Sequence, residues 1–178
     1  MDGVSAERPQ PFKSLDTSVI TNEQDKGFAE AWLAERNLNR GCYELIDEFH
    51  FDVRPAEGFT TARENLTYQI KVHDNFLKCM KEKELTYGKH YAEIESELRG
   101  LTREQLLERL DELDERIVRQ LAVFGNNNVK VPWENLPVSF AEAALSLRSH
   151  EIYHIQTNRS LLRHFGIPEF PQLSETWG

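Results

Sequence analysis

Three of the four longest stretches with helical periodicity open with a capping-box sequence, and this repeated signal constrains the fold more than any other feature of the chain. The boxes are Thr61-Ala62-Arg63-Glu64, Thr102-Arg103-Glu104-Gln105 and Ser139-Phe140-Ala141-Glu142. In each box, the first hydroxyl and the last side chain bond to backbone N–H groups that the first helical turn leaves unpaired. The boxes therefore predict helix starts near residues 61, 102 and 139.

Apolar residues at steps of three and four follow each box and also mark one earlier helix. The predicted helices span residues 22–50, 61–87, 102–124 and 139–165. No segment shows the alternation of a strand, so the chain is predicted to be all-α, a four-helix bundle. Residues 1–21 have no apolar period and are expected to be a flexible N-terminal tail, which leaves residues 22–178 as the bundle domain.

The charge balance limits the partners that the chain can bind. Lys and Arg number 21 against 30 Asp and Glu, for a net charge of -9. An acidic surface repels phosphate backbones, so nucleic acid is not an expected partner. No apolar run reaches the roughly 18 residues of a membrane span, and no secretory signal is visible, so we expect a cytoplasmic protein. Cys42 and Cys79 are expected to be reduced and buried.

The segment His150-Glu151-Ile152-Tyr153-His154 carries the clearest chemical signal. Two histidines four apart lie on one face of a helix, where both imidazoles can bind one metal ion. The segment also matches H-E-x-x-H, the motif of zinc proteases in which the glutamate is the general base. A protease needs a third ligand downstream, and little chain remains to supply it. The protease is therefore the weaker alternative, and Glu151 is expected to be a neighbour of the site or a surface charge.

Three of the six histidines lie on the inward stripes of predicted helices. They are His73 in the second helix and His150 and His154 in the fourth. Each buried neutral imidazole needs partners for two ring nitrogens, and a shared metal ion satisfies one nitrogen on all three. The remaining histidines, His50, His90 and His164, fall at helix ends or in loops and are expected at the surface.

The chain resembles the DinB-like (YfiT-like) superfamily of helical bundles. The likeness rests on H-E-I-Y-H-I-Q-T-N-R-S-L-L-R-H-F-G-I-P in the last helix and on F-H-F-D-V-R-P-A-E-G-F-T-T-A-R-E before the second. The resemblance implies an up-down-down-up, left-handed four-helix bundle that holds a divalent metal with three histidines. His150 and His154 match two of these ligands. The family often places the first ligand about four residues after the capping-box glutamate, and that position is Tyr68 here.

Two residues therefore compete for the first ligand position. His73 lies five residues beyond Tyr68, about 140° further around the helix, and belongs to the inward stripe. We expect His73 to be the ligand, with Tyr68 in the ligand column as the alternative.

The resemblance implies a metal-dependent enzyme of the thiol-transferase or hydrolase type, with the metal, Zn²⁺ or Ni²⁺, activating a thiol or water. A small-molecule substrate, such as a low-molecular-weight thiol, and a homodimer are the implied partners. The alternative is a non-catalytic dimeric bundle whose metal site is degenerate and holds no metal.

Overall fold

A computed structural model of the chain describes residues 15–124 and 127–177. The regular secondary structure in this part of the chain is almost entirely helical, as predicted. The helices are α1 (Glu23–Leu45), α2 (Glu48–Phe51), α3 (Ala62–Glu82), α4 (Tyr91–Leu98), α5 (Arg103–Phe124), α6 (Phe140–Phe165) and α7 (Pro171–Trp177). Two strands of two residues each, β1 (Asn128–Val129) and β2 (Val138–Ser139), pair antiparallel between α5 and α6.

All three capping boxes form. At α3, the Thr61 hydroxyl accepts from the Glu64 amide at 3.0 Å while the Glu64 carboxylate accepts from the Thr61 amide at 2.9 Å. Thr102 with Gln105 caps α5, and Ser139 with Glu142 caps α6, in the same reciprocal way. The sequence therefore predicted the starts of three of the four long helices to within a residue.

The four long helices α1, α3, α5 and α6 pack as a bundle in which α1 and α3 each contact both α5 and α6. Helices α1 and α6 run parallel, because their contacts advance together along both helices. Glu35 pairs with Arg148 at 2.7 Å, and Asn39, one turn later, accepts from Asn158 at 2.7 Å.

Helix α3 runs antiparallel to α6. Asn65 donates to Asn158 at 2.7 Å, whereas Gln69, further along α3, donates to the earlier residue Glu151 at 2.8 Å. These contacts lie in the middle of the bundle, so they fix how the two helices face each other.

Helix α5 runs antiparallel to α1, since Arg36 pairs with Asp114 whereas Arg40, further along α1, pairs with the earlier residue Asp111. The three sets of contacts place α1 and α6 in one direction and α3 and α5 in the other. The handedness implied by the resemblance stays a prediction.

The core contains a large apolar cluster and a polar layer. The largest fully buried side chains are Trp32, Tyr43, Phe51, Phe140, Ile46, Leu66, Ile70, Leu77, Met80, Ile94, Leu106 and Leu110. Full burial of one such aliphatic side chain stabilises the fold by about 1.5–3 kcal/mol. Cys42 and Cys79 are free thiols within this core, as expected. The polar layer crosses the middle of the bundle and contains His73 and His154, both 0% exposed.

The first helix ends earlier than predicted. Helix α1 stops at Leu45, and Asp47 then caps the separate one-turn helix α2 by accepting from the His50 amide at 2.8 Å. An aspartate side chain that caps a new helix offers the backbone an alternative to continuing the old one. The predicted extension of the first helix to His50 is therefore wrong.

The second helix also stops early. Helix α3 ends at Glu82 because Lys83 adopts a left-handed conformation with φ 59°, well before the expected break at Tyr87 and Gly88. The backbone of residues 83–85 then bonds to Lys130, which lies in the connection between α5 and α6. Leu85 N donates to Lys130 O at 2.8 Å, and Lys130 N donates to Lys83 O at 3.0 Å.

The described part of the predicted tail is ordered. Residues 1–14 lie outside the described residues, but Thr17–Val19 form one 3₁₀ turn and Ile20 is only 3% exposed. Of the helices in residues 15–124 and 127–177, none combines the length and apolar character that a bilayer span requires.

Candidate functional site

His150 and His154 form a close pair on α6, at the side facing α3. Their Nε2 atoms are 3.0 Å apart. His154 is fully buried, and His150 is partly exposed at the wall of a cavity. The i, i+4 spacing expected from the sequence thus brings two ring nitrogens together.

The second ring nitrogen of His154 is held by α3. Its Nδ1 lies 2.5 Å from Asn65 Oδ1, and Asn65 uses its Nδ2 to donate to Asn158. Because Asn65 Oδ1 can only accept, Nδ1 of His154 carries the proton and its Nε2 presents a lone pair. His150 therefore donates from its Nε2 across the pair, and its buried Nδ1 has no hydrogen-bond partner among the described residues.

Both imidazoles of the pair favour the neutral form. Burial lowers the pKa of His150 to about 4. Burial, and then the proximity of His150, lowers the pKa of His154 to about 3. A neutral imidazole is the form that binds metal ions.

His73 lies in a separate buried network. Its Nδ1 is 2.8 Å from Asp114 Oδ1 on α5, and its Nε2 is 2.7 Å from Glu151 Oε1 on α6. Burial would lower the pKa of His73, but the hydrogen bonds to the two carboxylates outweigh it and raise the pKa to about 9. His73 is thus an imidazolium with a carboxylate on each side.

Glu151 is fully buried and accepts from residues on two helices besides His73. Gln69 donates to its two oxygens at 2.9 and 2.8 Å, and Asn39 donates at 3.0 Å. Burial alone would raise the pKa of Glu151, but the hydrogen bond and charge of His73 lower it to about 2. Of the two roles expected from sequence, the surface charge is wrong, since no part of Glu151 reaches solvent.

On the α1 and α5 side of this network, charged side chains form ion pairs. Arg36 on α1 donates to both Asp114 and Asp111 on α5. Buried charges persist when they are paired and hydrogen-bonded, and here two cations and the carboxylates around them offset one another. Four helices thus contribute to one polar layer.

The structure brings His150 and His154 together but not His73 with them. In residues 15–124 and 127–177, the nitrogens of these three histidines do not all fall within 4.8 Å of one another. Both His73 nitrogens are already engaged by Asp114 and Glu151. Tyr68 instead lies beside the pair, with ring centroids 5.5 Å from His150 and 6.0 Å from His154. Tyr68 as a residue of the ligand column stays a prediction.

A cavity of about 290 Å³ opens in front of His150. Aromatic and apolar side chains dominate its wall. The lining residues are Tyr68, Val72, Asn75, Phe76, Leu85, Tyr87, Tyr91, Ser146, Leu147, Ser149 and His150. Ligand sites are commonly mostly apolar clefts with a few placed polar groups, and their volumes start near 300 Å³.

One group of possible ligands was missed by the sequence analysis. His90, expected at the surface, is only 8% exposed, and it lies with Cys79 and Glu82 near the end of α3. The ligand atoms of the three residues lie within 4.8 Å of one another. His90 follows an irregular segment without a helical period, so no sequence pattern indicated its burial.

The fold matches that of one solved structure in particular. The crystal structure of a DinB-like protein (YjoA) from Bacillus subtilis is similar with a TM-score of 0.58 and 20% identity, covering 82% of this chain and 96% of that chain. At this identity the likeness shows the fold alone, and the chain has a DinB-like all-α fold. No protein-family model matches the chain, and no curated protein does.

Proposed function

We propose that this chain is a divalent-metal-dependent enzyme in which His150 and His154 hold the metal ion. The observation that carries the proposal is the 3.0 Å separation of their Nε2 atoms. Two nitrogens each about 2.1 Å from one ion are about 3–3.5 Å apart. A cation between these atoms also replaces the single proton that the pair now shares.

The chemistry of the donor atoms fits such an ion in part. Imidazole nitrogen suits Zn²⁺ and Ni²⁺, and the hydrogen bond from His154 Nδ1 to Asn65 holds one ring in the orientation and tautomer that expose Nε2. His150 has a buried ring nitrogen without a partner among the described residues. His73 does not fit, because carboxylates occupy both its nitrogens.

We propose Tyr68 as the side chain that completes the site. It packs beside both histidines and lies next to Tyr91, at 5.8 Å between ring centroids. Burial, and then the hydrogen bond with Tyr68, raises the pKa of Tyr91, so Tyr91 keeps its proton at neutral pH. Neutral Tyr91 can therefore orient the Tyr68 hydroxyl at the cavity wall.

The bound metal would supply Lewis acidity that lowers the pKa of a water or thiol. The residues of the chain would position the substrate, and the tyrosine-rich cavity suits a small molecule with an apolar portion. We therefore propose a thiol-transferase or hydrolase reaction. A low-molecular-weight thiol as substrate, and a homodimer as the assembly, stay predictions.

A second candidate function is a non-catalytic bundle with a degenerate site. The pairing of His73 with Asp114 and Glu151 favours it, because that pairing leaves two histidines where the resemblance implies three. The protease alternative gains no support from Glu151, whose oxygens are buried and bonded to His73, Gln69 and Asn39.

Metal analysis of protein purified without a histidine tag separates the two candidates. We expect a calorimetric titration of the Cys79→Ser variant to show one equivalent of Zn²⁺ or Ni²⁺, and we expect His150→Ala and His154→Ala in that background each to abolish this binding. His164→Ala is the matched control, since it removes an exposed histidine from the same helix. Cysteine variants distinguish this site from the second one described below. Protein that takes up no metal at the histidine pair would overturn the proposed metal-dependent function.

A further inference from the structure

Three potential ligands meet where α3 ends and α4 begins. Cys79 and Glu82 lie one turn apart at the end of α3, and His90 directly precedes α4. One ligand atom from each lies within 4.8 Å of the other two. The group is formed by helix α3 and the first residue after the irregular segment 83–89, and none of its members belongs to the histidine pair or to the buried charge network.

His90 is oriented as a metal-binding histidine is. Its Nδ1 lies 2.8 Å from Glu93 Oε1, and its backbone amide donates to Asn75 Oδ1 at 3.0 Å. A carboxylate that accepts from one ring nitrogen leaves the other nitrogen as a lone-pair donor and fixes the ring. Nδ1 is therefore the protonated nitrogen, and Nε2 is aimed at the group.

The Nε2 atom of His90 has no hydrogen bond among the described residues although it is buried. It nevertheless lies 3.2 Å from Glu82 Oε1. When Nδ1 carries the only proton of the ring, the Nε2 lone pair and this carboxylate oxygen are two donor atoms that one cation can bind. A cation between them satisfies both atoms at once.

Cys79 can supply a thiolate ligand without leaving the Thr86 carbonyl unpaired. The residue is 0% exposed, and its Sγ lies 3.5 Å from the carbonyl oxygen of Thr86. Asn75 also donates to that oxygen, at 3.0 Å. The Thr86 carbonyl therefore keeps a hydrogen bond when the thiol loses its proton to become a ligand.

We propose that Cys79, Glu82 and His90 form a second divalent-cation site, suited to Zn²⁺. Sulfur, nitrogen and carboxylate oxygen are the ligands of protein zinc sites, and three of them leave a fourth position for water. On binding, the metal–sulfur bond forms and the Cys79 thiol proton passes to solvent, with no change of oxidation state. Glu82 is exposed and offers the ion an entry path, while its second oxygen keeps its 2.6 Å contact with Lys89.

A metal ion at this site would hold the segment that forms one wall of the cavity. Residues 83–90 connect α3, which carries Cys79 and Glu82, to α4. Tyr87, within this segment, and Tyr91, just beyond it, line the cavity in front of His150. A metal ion that binds the folded but not the unfolded chain stabilises the fold in proportion to its affinity. The proposed ion thus orders the segment that shapes the substrate cavity, whether or not a metal binds at the histidine pair.

Titration with Co²⁺, in place of Zn²⁺, tests this site separately from the histidine pair. A cobalt–thiolate bond gives a charge-transfer absorption in the near ultraviolet, and no cysteine lies in the pair. We expect that absorption in the wild-type chain, and we expect it to saturate with one equivalent in the His150→Ala/His154→Ala variant. Cys79→Ser should abolish it. Cys42→Ser, which removes the other buried thiol, should leave it unchanged.

Two further variants test the site even if Cys79→Ser, which replaces a buried residue, does not fold. Glu82→Gln changes an exposed side chain and should weaken Zn²⁺ binding at this site at least about tenfold. Glu93→Ala removes the acceptor of His90 Nδ1 and should weaken binding about 10–100-fold. The proposal is overturned by a missing absorption in the full-length wild-type chain at saturating Co²⁺. It is equally overturned by an absorption that survives Cys79→Ser or by unchanged affinity in Glu82→Gln.

Discussion

Glu151 Oε1 lies 2.7 Å from His73 Nε2, although the residue before Glu151 in the chain belongs to a different site. His150 points to the cavity and pairs with His154, whereas Glu151 points to the polar layer. Neighbouring residues of a helix are separated by about 100°. The H-E-x-x-H segment therefore serves two sites, a histidine pair at the cavity and a carboxylate in the core.

Removing the Glu151 charge should destabilise the fold strongly. Glu151→Gln leaves the His73 imidazolium with one carboxylate in a buried layer, and breaking a buried ion pair costs about 3–5 kcal/mol. Urea unfolding of the two proteins at neutral pH measures the difference. Glu108→Gln, at an exposed position of α5, should change the free energy of unfolding by less than about 0.5 kcal/mol. Equal effects of the two substitutions would contradict the buried ion pair.

Stability should fall between neutral and mildly alkaline pH. The pKa of His73 is about 9 in the folded protein, against about 6.5 in an unfolded chain. The stabilisation by His73 is therefore complete below about pH 6.5 and disappears as the pH rises through about 9. Chemical unfolding of chelator-treated protein between about pH 6 and pH 9 measures this slope.

The matching variant identifies the residue responsible for the slope. His73→Gln should remove most of the pH dependence in this range, and His164→Gln, at an exposed position, should retain it. A slope of unchanged size in His73→Gln would show that His73 is neutral in the folded protein.

Tyr68→His should increase metal affinity at the histidine pair. The substitution places a third imidazole beside His150 and His154, where the tyrosine ring now packs. We expect Zn²⁺ to bind at least about tenfold more tightly, a gain of about 1.4 kcal/mol. Calorimetry in a Cys79→Ser background measures this site alone. Thr67→His adds an imidazole at the preceding position of α3 and should not tighten Zn²⁺ binding. If both variants bind Zn²⁺ equally tightly, Tyr68 does not lie in the ligand column.

The capping box of α3 can be tested with adjacent threonines. Thr61→Ala removes a side chain that caps the Glu64 amide, and the loss of such a cap costs about 1 kcal/mol. Thr60→Ala, at an exposed position just before it, should cost much less. Thermal unfolding of both variants checks the difference, which should vanish if the box contributes nothing.

Replacing Lys83 by glycine should stabilise the protein. Lys83 has φ 59°, a conformation that costs residues with a Cβ about 1–2 kcal/mol and glycine little. We expect Lys83→Gly to raise the free energy of unfolding by about 0.5–1 kcal/mol. The same substitution at Lys81, within the last turn of α3, should lower it by about 1 kcal/mol. Effects of the same sign would contradict the assigned end of α3.

Local signals predicted the helices well because they act within a few residues. The reciprocal bonds of Thr61 and Glu64, and of Ser139 and Glu142, depend only on the chain between them. The early end of α1 at Leu45 was missed because Asp47 competes with the continuing helix through a side-chain bond that has no apolar period.

The partners of the buried histidines could not be predicted in the same way. The apolar stripe of α3 correctly indicated that His73 is buried. Whether it faces His154, or Asp114 and Glu151, depends on the register of α3 against α5 and α6, which no single helix encodes. Asp114 lies in a stripe of leucines and gave no signal of its own. The metal role of His150 and His154 stays a prediction, and the contacts of His73 with Asp114 and Glu151 give no support to a metal role for His73.

The backbone bonds between residues 83–85 and Lys130 join the connection after α3 to the connection after α5. One connection carries Tyr87, and the other carries Trp133, and these two rings stack at 6.2 Å between centroids. Because these contacts tie the two connections together, we expect the connections to open as one unit. Hydrogen exchange should show this as equal opening free energies for the amides of Leu85 and Lys130, and unequal values would show that the two connections open independently.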